Sequence, residues 1–307
     1  MPNQAKPTAR PKRFLRWLQA SVASVGVVSA GGVGLPSALH GTTGAVEVTG
    51  PDTPTDAVEG ERTVMTLNLA HGRGDGLSQM LQTRSRISRK LEEIAAVVRR
   101  EQIDILAVQE ADKPSWWSGN TDHVRAIADA SELPWSAHAT NVKGLGLGYG
   151  TAVAARSPIQ AAHGHTFAPT LPTFPKGFAI AAVSWPGVRT NTVDVVSVHL
   201  DFASSSARRA QLQELAAVLS KRDRPALIMG DFNTSITHKD GHLRGFVARL
   251  NLQSFDPEER VPVTFPARKS RIDWIFVSSD LRLAGVRVLQ DVLSDHRAVV
   301  ATVSPAE

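Results

Sequence analysis

The chain has 307 residues, enough to bury a sizeable core, and an ordinary apolar fraction that excludes wholesale disorder. It has no cysteine, which removes disulfides, iron–sulfur clusters, thiolate zinc sites and cysteine nucleophiles. The formal charge is +5; five basic and four acidic residues fall in the first 60, leaving 29 basic and 25 acidic beyond, a balance that singles out no polyanionic partner.

Residues 1–40 read as a signal peptide or membrane anchor. The basic stretch Arg10 to Arg16 precedes an uncharged run from Trp17 to Leu39, and Val28-Ser29-Ala30 offers small residues for cleavage. An exported protein, secreted or associated with the cell envelope, is the expectation. Residues 41–61, rich in Gly, Thr, Pro and Asp, read as a flexible linker ahead of a catalytic domain over 62–307.

Thr63–Leu69 is strand-like. Residues 86–100 set Ile87, Leu91, Ile94, Val97 and Val98 at helical spacing, and Ile103–Val108 is a buried strand. A helix is predicted over 122–130 and strands over 151–155, 178–185 and 193–200. Residues 207–219 form a helix, residues 245–250 a short one, and strands follow over 226–229, 272–277 and 298–303. Several strand pairs lack an intervening helix, so the sheets are predicted to be mixed and covered by helices.

Polar groups recur where these apolar strands stop: Asn68, Gln109-Glu110, His199 and Asp201, Asp231 and Asn233, Asp273, and Ser294-Asp295-His296. Any one of them is explained by the preference of Asp and Asn for turns and caps. Six such groups at one sheet edge would need a cation or proton to offset their repulsion, and oxygen donors of this kind suit Mg²⁺ or Mn²⁺.

In order, Thr66-Leu-Asn68, Gln109-Glu110, Tyr149-Gly-Thr-Ala with Arg156-Ser-Pro-Ile159, His199-Leu-Asp201, Gly230-Asp-Phe-Asn233, Arg271-Ile-Asp273 and Ser294-Asp-His296 resemble the endonuclease/exonuclease/phosphatase superfamily. The resemblance runs from about Arg62 to Val303. Asn68-Leu-Ala-His71-Gly72, Ser118–Asp122 and Thr264-Phe-Pro266 resemble its bacterial branch of small metal-dependent hydrolases. It implies an α+β four-layer sandwich, two packed mixed β-sheets flanked by helices. It also implies a phosphoester hydrolase, acting on a phosphodiester by direct attack of water.

By that resemblance Glu110 is the principal metal carboxylate, with Asn68 nearby and Asp295 completing the site. Asp231 and Asn233 orient the water or hold a second metal. His296 is the general base, Asp273 its hydrogen-bond partner, and His199 a phosphate contact. Tyr149, the only tyrosine, lies near the phosphate or fills a gap beside Gly148 and Gly150. Arg208 and Gln211 line the site or face outward from their helix. His71 reads as a surface-turn histidine, with reach to the pocket rim as the alternative.

Trp116-Trp117 fits a base or a lipid headgroup; the alternative is that one ring packs down as a loop anchor. The substrate is therefore nucleic acid, slightly favoured, or a phospholipid or sphingolipid that brings the enzyme to a membrane surface. A small phosphate ester is a further alternative. Ala70 stands where many apurinic/apyrimidinic endonucleases carry a carboxylate, which argues against that subgroup. A catalytically dead binding module would be expected to lack Glu110, Asp231 or His296, and all three are present. The expected state is a monomer.

Overall fold

A computed structural model describes residues 41–52, 56–76, 78–255 and 263–306. The leader of residues 1–40 lies outside them. No helix among the described residues is long and apolar enough to cross a membrane.

The strands are β1 (Thr42–Ala45), β2 (Val48–Thr49), β3 (Arg62–Asn68), β4 (Ile105–Asp112), β5 (Trp135–Gly144), β6 (Leu147–Ala155) and β7 (Ile159–Thr166). They continue with β8 (Gly177–Ser184), β9 (Thr192–His199), β10 (Ala226–Asp231), β11 (Gln253–Ser254), β12 (Asp273–Val277), β13 (Leu281–Val288) and β14 (Val299–Pro305). Four α-helices occur among the described residues: α1 (Arg84–Arg100), α2 (His123–Ser131), α3 (Ser205–Leu219) and α4 (His242–Arg249). Side-chain oxygens of Thr83, Asp122 and Ser204 cap the first three by accepting from backbone N–H groups of the first turn.

Two mixed seven-stranded sheets result, in the orders β1-β7-β8-β9-β10-β12-β11 and β13-β14-β3-β4-β6-β5-β2. Alternation along the strands decides the layering. In β4, Ile105 and Ala107 face the other sheet, whereas Leu106 and Val108 face α1 and α2. In β10, Leu227 and Met229 point between the sheets and Ile228 points to α3 and α4. The expected four-layer sandwich is the fold: helices, sheet, sheet, helices.

Each sheet is built around one parallel pair. β3 runs parallel to β4 with α1 as the crossover, and β9 parallel to β10 with α3 as the crossover. Antiparallel strands flank each pair: β14 and β6 in one sheet, β8 and β12 in the other. Parallel neighbours end at the same edge, so Asn68 lies beside Gln109 and His199 beside Asp231.

Residues 41–61 differ from the linker reading. Thr42–Ala45 pairs with β7 and Val48–Thr49 with β5, so the stretch extends both sheets by an edge strand. Its Gly and Thr content hides the pairing because an edge strand needs only backbone partners. β5, β7 and β13 were also not expected. β13 carries Leu281, Leu283, Val286 and Val288, but a register shift between Ala284 and Arg287 breaks the period of two.

Gly230 is where the backbone demands glycine. Its φ is +147°, and a Cβ would lie 2.0 Å from the Val198 carbonyl oxygen of the neighbouring strand. Gly230→Ala is therefore expected to cost about 2–5 kcal/mol from backbone strain and steric displacement combined. Urea titration reads this as a lower midpoint at unchanged slope. A midpoint equal to the parent's would mean that β9 yields at no cost.

Candidate active site

The register carries one half of the site. Asp231 is flanked by His199 on β9 and Asp273 on β12, so three functional groups sit abreast on adjacent strands. Beyond Asp231 the chain turns through Asn233, whose φ is +50°. The Asn233 side-chain amide donates to the Leu200 carbonyl at 2.9 Å, which pins the turn to the end of β9.

The two sheets meet at the Asp231 carboxylate. Its Oδ2 accepts from Asn68 Nδ2 at 3.0 Å and lies 3.5 Å from His199 Nε2 and 3.8 Å from His296 Nε2. Its Oδ1 accepts from the Asn233 backbone N–H at 2.9 Å. His296 Nδ1 donates to Asp273, with both carboxylate oxygens 3.0–3.1 Å away. Ligand atoms of Asp231, Asp273 and His296 all lie within 4.8 Å of one another, and all three residues are buried.

The Thr264-Phe-Pro266 stretch supports this group. Thr264 Oγ1 accepts from the backbone N–H groups of Ile272 and Asp273, and the Phe265 ring packs against His296 at 4.7 Å. Burial pushes the Asp231 pKa up, and the nearby Asp273 charge adds to that rise. Burial works against a charged His296, but the Asp273 and Asp231 carboxylates outweigh it and raise the imidazole pKa. Burial, aided by Lys176, lowers the His199 pKa well below the usual value, which keeps its ring neutral.

Glu110 forms the other half. A register shift between Val108 and Ala111 interrupts the β4–β6 ladder, and Glu110 itself has φ +49°. That bulge turns the carboxylate out of the strand's alternation and into the cleft. Lys176 Nζ lies 3.5 Å from one Glu110 oxygen and His71 Nε2 3.6 Å from the other. Burial alone would raise the Glu110 pKa, but His71, Lys176, His199 and Arg73 together hold it well below the carboxylate range. Lys176, Arg73 and Asp112 had no motif to announce them.

His71 is buried, not a surface-turn residue: its ring packs against Tyr149 at 4.7 Å and Trp117 at 5.0 Å, and its Nδ1 sits 2.7 Å from Asp112. Trp117 packs down while Trp116 stays 55% exposed, so one ring of the pair is the anchor. Tyr149 fills the space between His71, Trp117 and Phe174; burial and the charges of Glu110 and Asp112 keep its hydroxyl protonated.

Asp295 lies on the rim, where its carboxylate accepts from Arg73 at 2.6 Å. Arg208 and Gln211 are buried rather than outward-facing. The Arg208 guanidinium donates to the Asp201 carbonyl, and the Gln211 amide oxygen accepts from the Asp201 N–H. Asp201 accepts from Thr173 and from the N–H groups of Ala203 and Ser204, so it holds loops together beside the site.

This fold and this convergence of Asn, Glu, His and Asp at one sheet edge define a class. Residues 65–296 match the endonuclease/exonuclease/phosphatase family model, and the chain belongs to that family of phosphoester hydrolases. Solved structures agree at the level of fold. A conserved protein from Enterococcus faecalis superposes with a TM-score of 0.62 at 20% identity, over 80% of this chain and 100% of that one. A mannosyl-6-phosphatase from Bacteroides thetaiotaomicron gives 0.59 at 19% identity, over 79% and 99%. The beta toxin of Staphylococcus aureus gives 0.56 at 16% identity, over 78% and 99%. No curated protein matches the chain by sequence.

Behind Glu110 two further histidines, His123 and His138, are buried. Desolvation lowers each from 6.5 to about 4. Between those values the unfolded chain binds more protons than the folded one, so the stabilisation is complete above pH 6.5 and is lost as pH falls toward 4. Each histidine is expected to withdraw up to about 2 kcal/mol between pH 7 and pH 5. Chemical denaturation at the two pH values tests this, and the loss should be smaller in His138→Gln. An equal loss in that variant would remove His138 as a source.

Proposed function

We propose that this is a divalent-metal-dependent phosphodiesterase that cleaves the P–O bond by direct attack of water. The observation that carries the reading is the buried Asp231 carboxylate, approached by Asn68, His199 and His296 from both sheets. The donor set fits a hard divalent cation: Glu110 is held ionised, Asp231 lacks a full counter-charge, and Asn68 and Asn233 add amide oxygens. Glu110 and Asn68 would hold the ion, with Asp231 and Asn233 beside them. Mg²⁺ or Mn²⁺ bound there would supply charge stabilisation for the phosphoryl and leaving oxygens.

The chain's own groups do the rest. His296 Nε2 faces Asp231 Oδ2 and takes one proton from the water as its oxygen attacks phosphorus. Asp273 holds the Nδ1 proton, fixing the tautomer and stabilising the imidazolium that forms. A cation beside Asp231 would offset one of the carboxylate charges that raise the His296 pKa and so favour the neutral ring that the base step needs. His199 donates a hydrogen bond to a phosphoryl oxygen, and the departing alkoxide is protonated by solvent.

Nucleic acid is the favoured substrate class: exposed Trp116 offers a face for a base beside the cluster of Arg73, Lys176 and His71. A phospholipid diester is the second reading, favoured by the adjacent hairpin tip. There Leu145 is 96% exposed and its carbonyl accepts from the Trp116 indole. The leader supports an exported enzyme in either case.

Plasmid DNA, RNA, sphingomyelin vesicles, phosphatidylinositides and a small phosphomonoester, each incubated with Mg²⁺ or Mn²⁺, test the reading. Cleavage of nucleic acid is expected, abolished by chelator and reduced about 10²–10⁴-fold in His296→Ala. Cleavage of lipid alone would replace the first reading by the second. Activity that survives the chelator would remove metal dependence.

A further inference from the structure

The geometry points to His71 as a nitrogen ligand of the divalent ion, paired with Glu110 and oriented by Asp112. That makes the site a mixed nitrogen–oxygen centre that takes Mn²⁺ or a similar transition ion ahead of Mg²⁺. The inference rests on the metal-dependent reading above and adds a ligand and a preference to it.

Asp112 is fully buried, and both of its oxygens are engaged: Oδ1 lies 2.7 Å from His71 Nδ1, and Oδ2 accepts from the Trp117 indole at 2.6 Å. An ionised carboxylate only accepts, so Nδ1 carries a proton and Nε2 is the nitrogen turned toward Glu110. Histidines that bind metals are commonly arranged this way, with a carboxylate fixing the tautomer through the other ring nitrogen. Edge-on contacts with Tyr149 and Trp117 then hold the ring plane.

Nε2 points at Glu110 Oε2 from 3.6 Å, beyond hydrogen-bond reach, so the two do not share a proton directly. Two donors on one ion, each about 2.1 Å from it, lie roughly 3.0–3.5 Å apart, close to the observed gap. Lys176 approaches the other carboxylate oxygen, so Oε2 is the one left facing His71. His71 and Glu110 also both adopt left-handed backbone conformations, with φ of 57° and 49°. Neither is glycine, and such strain persists where surrounding structure enforces it for a purpose. Here it aims an imidazole and a carboxylate at the same point.

A simple ion pair between His71 and Glu110 is the competing account; it predicts bound Mn²⁺ without histidine nitrogen modulation. The preference follows from the donor: imidazole nitrogen suits transition ions, whereas Mg²⁺ strongly favours oxygen.

The test is electron spin echo envelope modulation on the full chain, stripped of metal and loaded with one equivalent of Mn²⁺. Nitrogen modulation is expected in the parent protein, and it should change to the ¹⁵N pattern when only histidine is ¹⁵N-labelled. It should vanish in His71→Gln and persist in His199→Gln and His296→Gln. Asp112→Asn should weaken Mn²⁺ binding about 10–100-fold by calorimetry.

Bound Mn²⁺ without histidine modulation in the parent would overturn the assignment while leaving the metal-dependent reading intact. So would modulation lost with His199 or His296. If His71→Gln does not fold, persistence in those two variants alongside the labelled parent signal still decides the matter. Failure of the parent to bind any Mn²⁺ would defeat both readings.

Discussion

The hydrogen bond from Asn68 to Asp231 crosses from one sheet to the other, and the geometry of the site depends on it. The apolar layer between the sheets is held by hydrophobic burial, which is strong but sets no direction. Directional contacts are needed to fix how the two strand edges meet. One turn inward, Gln109 donates to Ser197 of the opposite sheet and Ser197 donates back to the Val108 carbonyl. These buried polar links would be costly if left unpaired, so a sliding of the sheets is opposed at the end where Asp231 and Glu110 face the cleft.

The two halves of the cleft differ in electrostatic character. Around Asp231 and Asp273 two buried carboxylates face the single His296 imidazole. Around Glu110 the balance reverses, with the Lys176 and Arg73 cations and the His71 and His199 rings about a single carboxylate. A phosphate group spanning the cleft would meet cations on one side and a proton acceptor on the other. Positive groups can hold the anion while the opposite wall handles the water.

How far the sequence exposes this depends on the range of the interaction. Helices α1 to α3 were legible because a stripe of apolar residues and a capping side chain both lie within a few positions. The strands of the parallel pairs were legible as buried apolar runs, though not their pairing, and the polar groups at their ends stood out against them. β5 and β7 were not, since Trp135–Gly144 and Ile159–Thr166 carry many small and polar residues, and much of their cover comes from neighbouring strands. His71 was misjudged for a similar reason. Its local setting is glycine-rich, but its burial comes from Asp112, Trp117 and Tyr149, all at least 41 positions away. Arg208 and Gln211 stayed undecided because helical periodicity says nothing about the Asp201 loop that folds over them. Lys176 has no periodic or motif context at all.

The duplicated layout, one parallel pair per sheet, has a further consequence. Each half of the active site stands on a sheet whose outer face is secured by its own helices, through separate apolar clusters. Loosening the contact between the sheets would therefore leave both halves folded but out of alignment. Mild heat or denaturant that loosened the inter-sheet contact would then silence such a molecule before its helices and strands melted. Turnover then acts as a gauge of how tightly the sandwich is closed, a property that far-ultraviolet dichroism would not register.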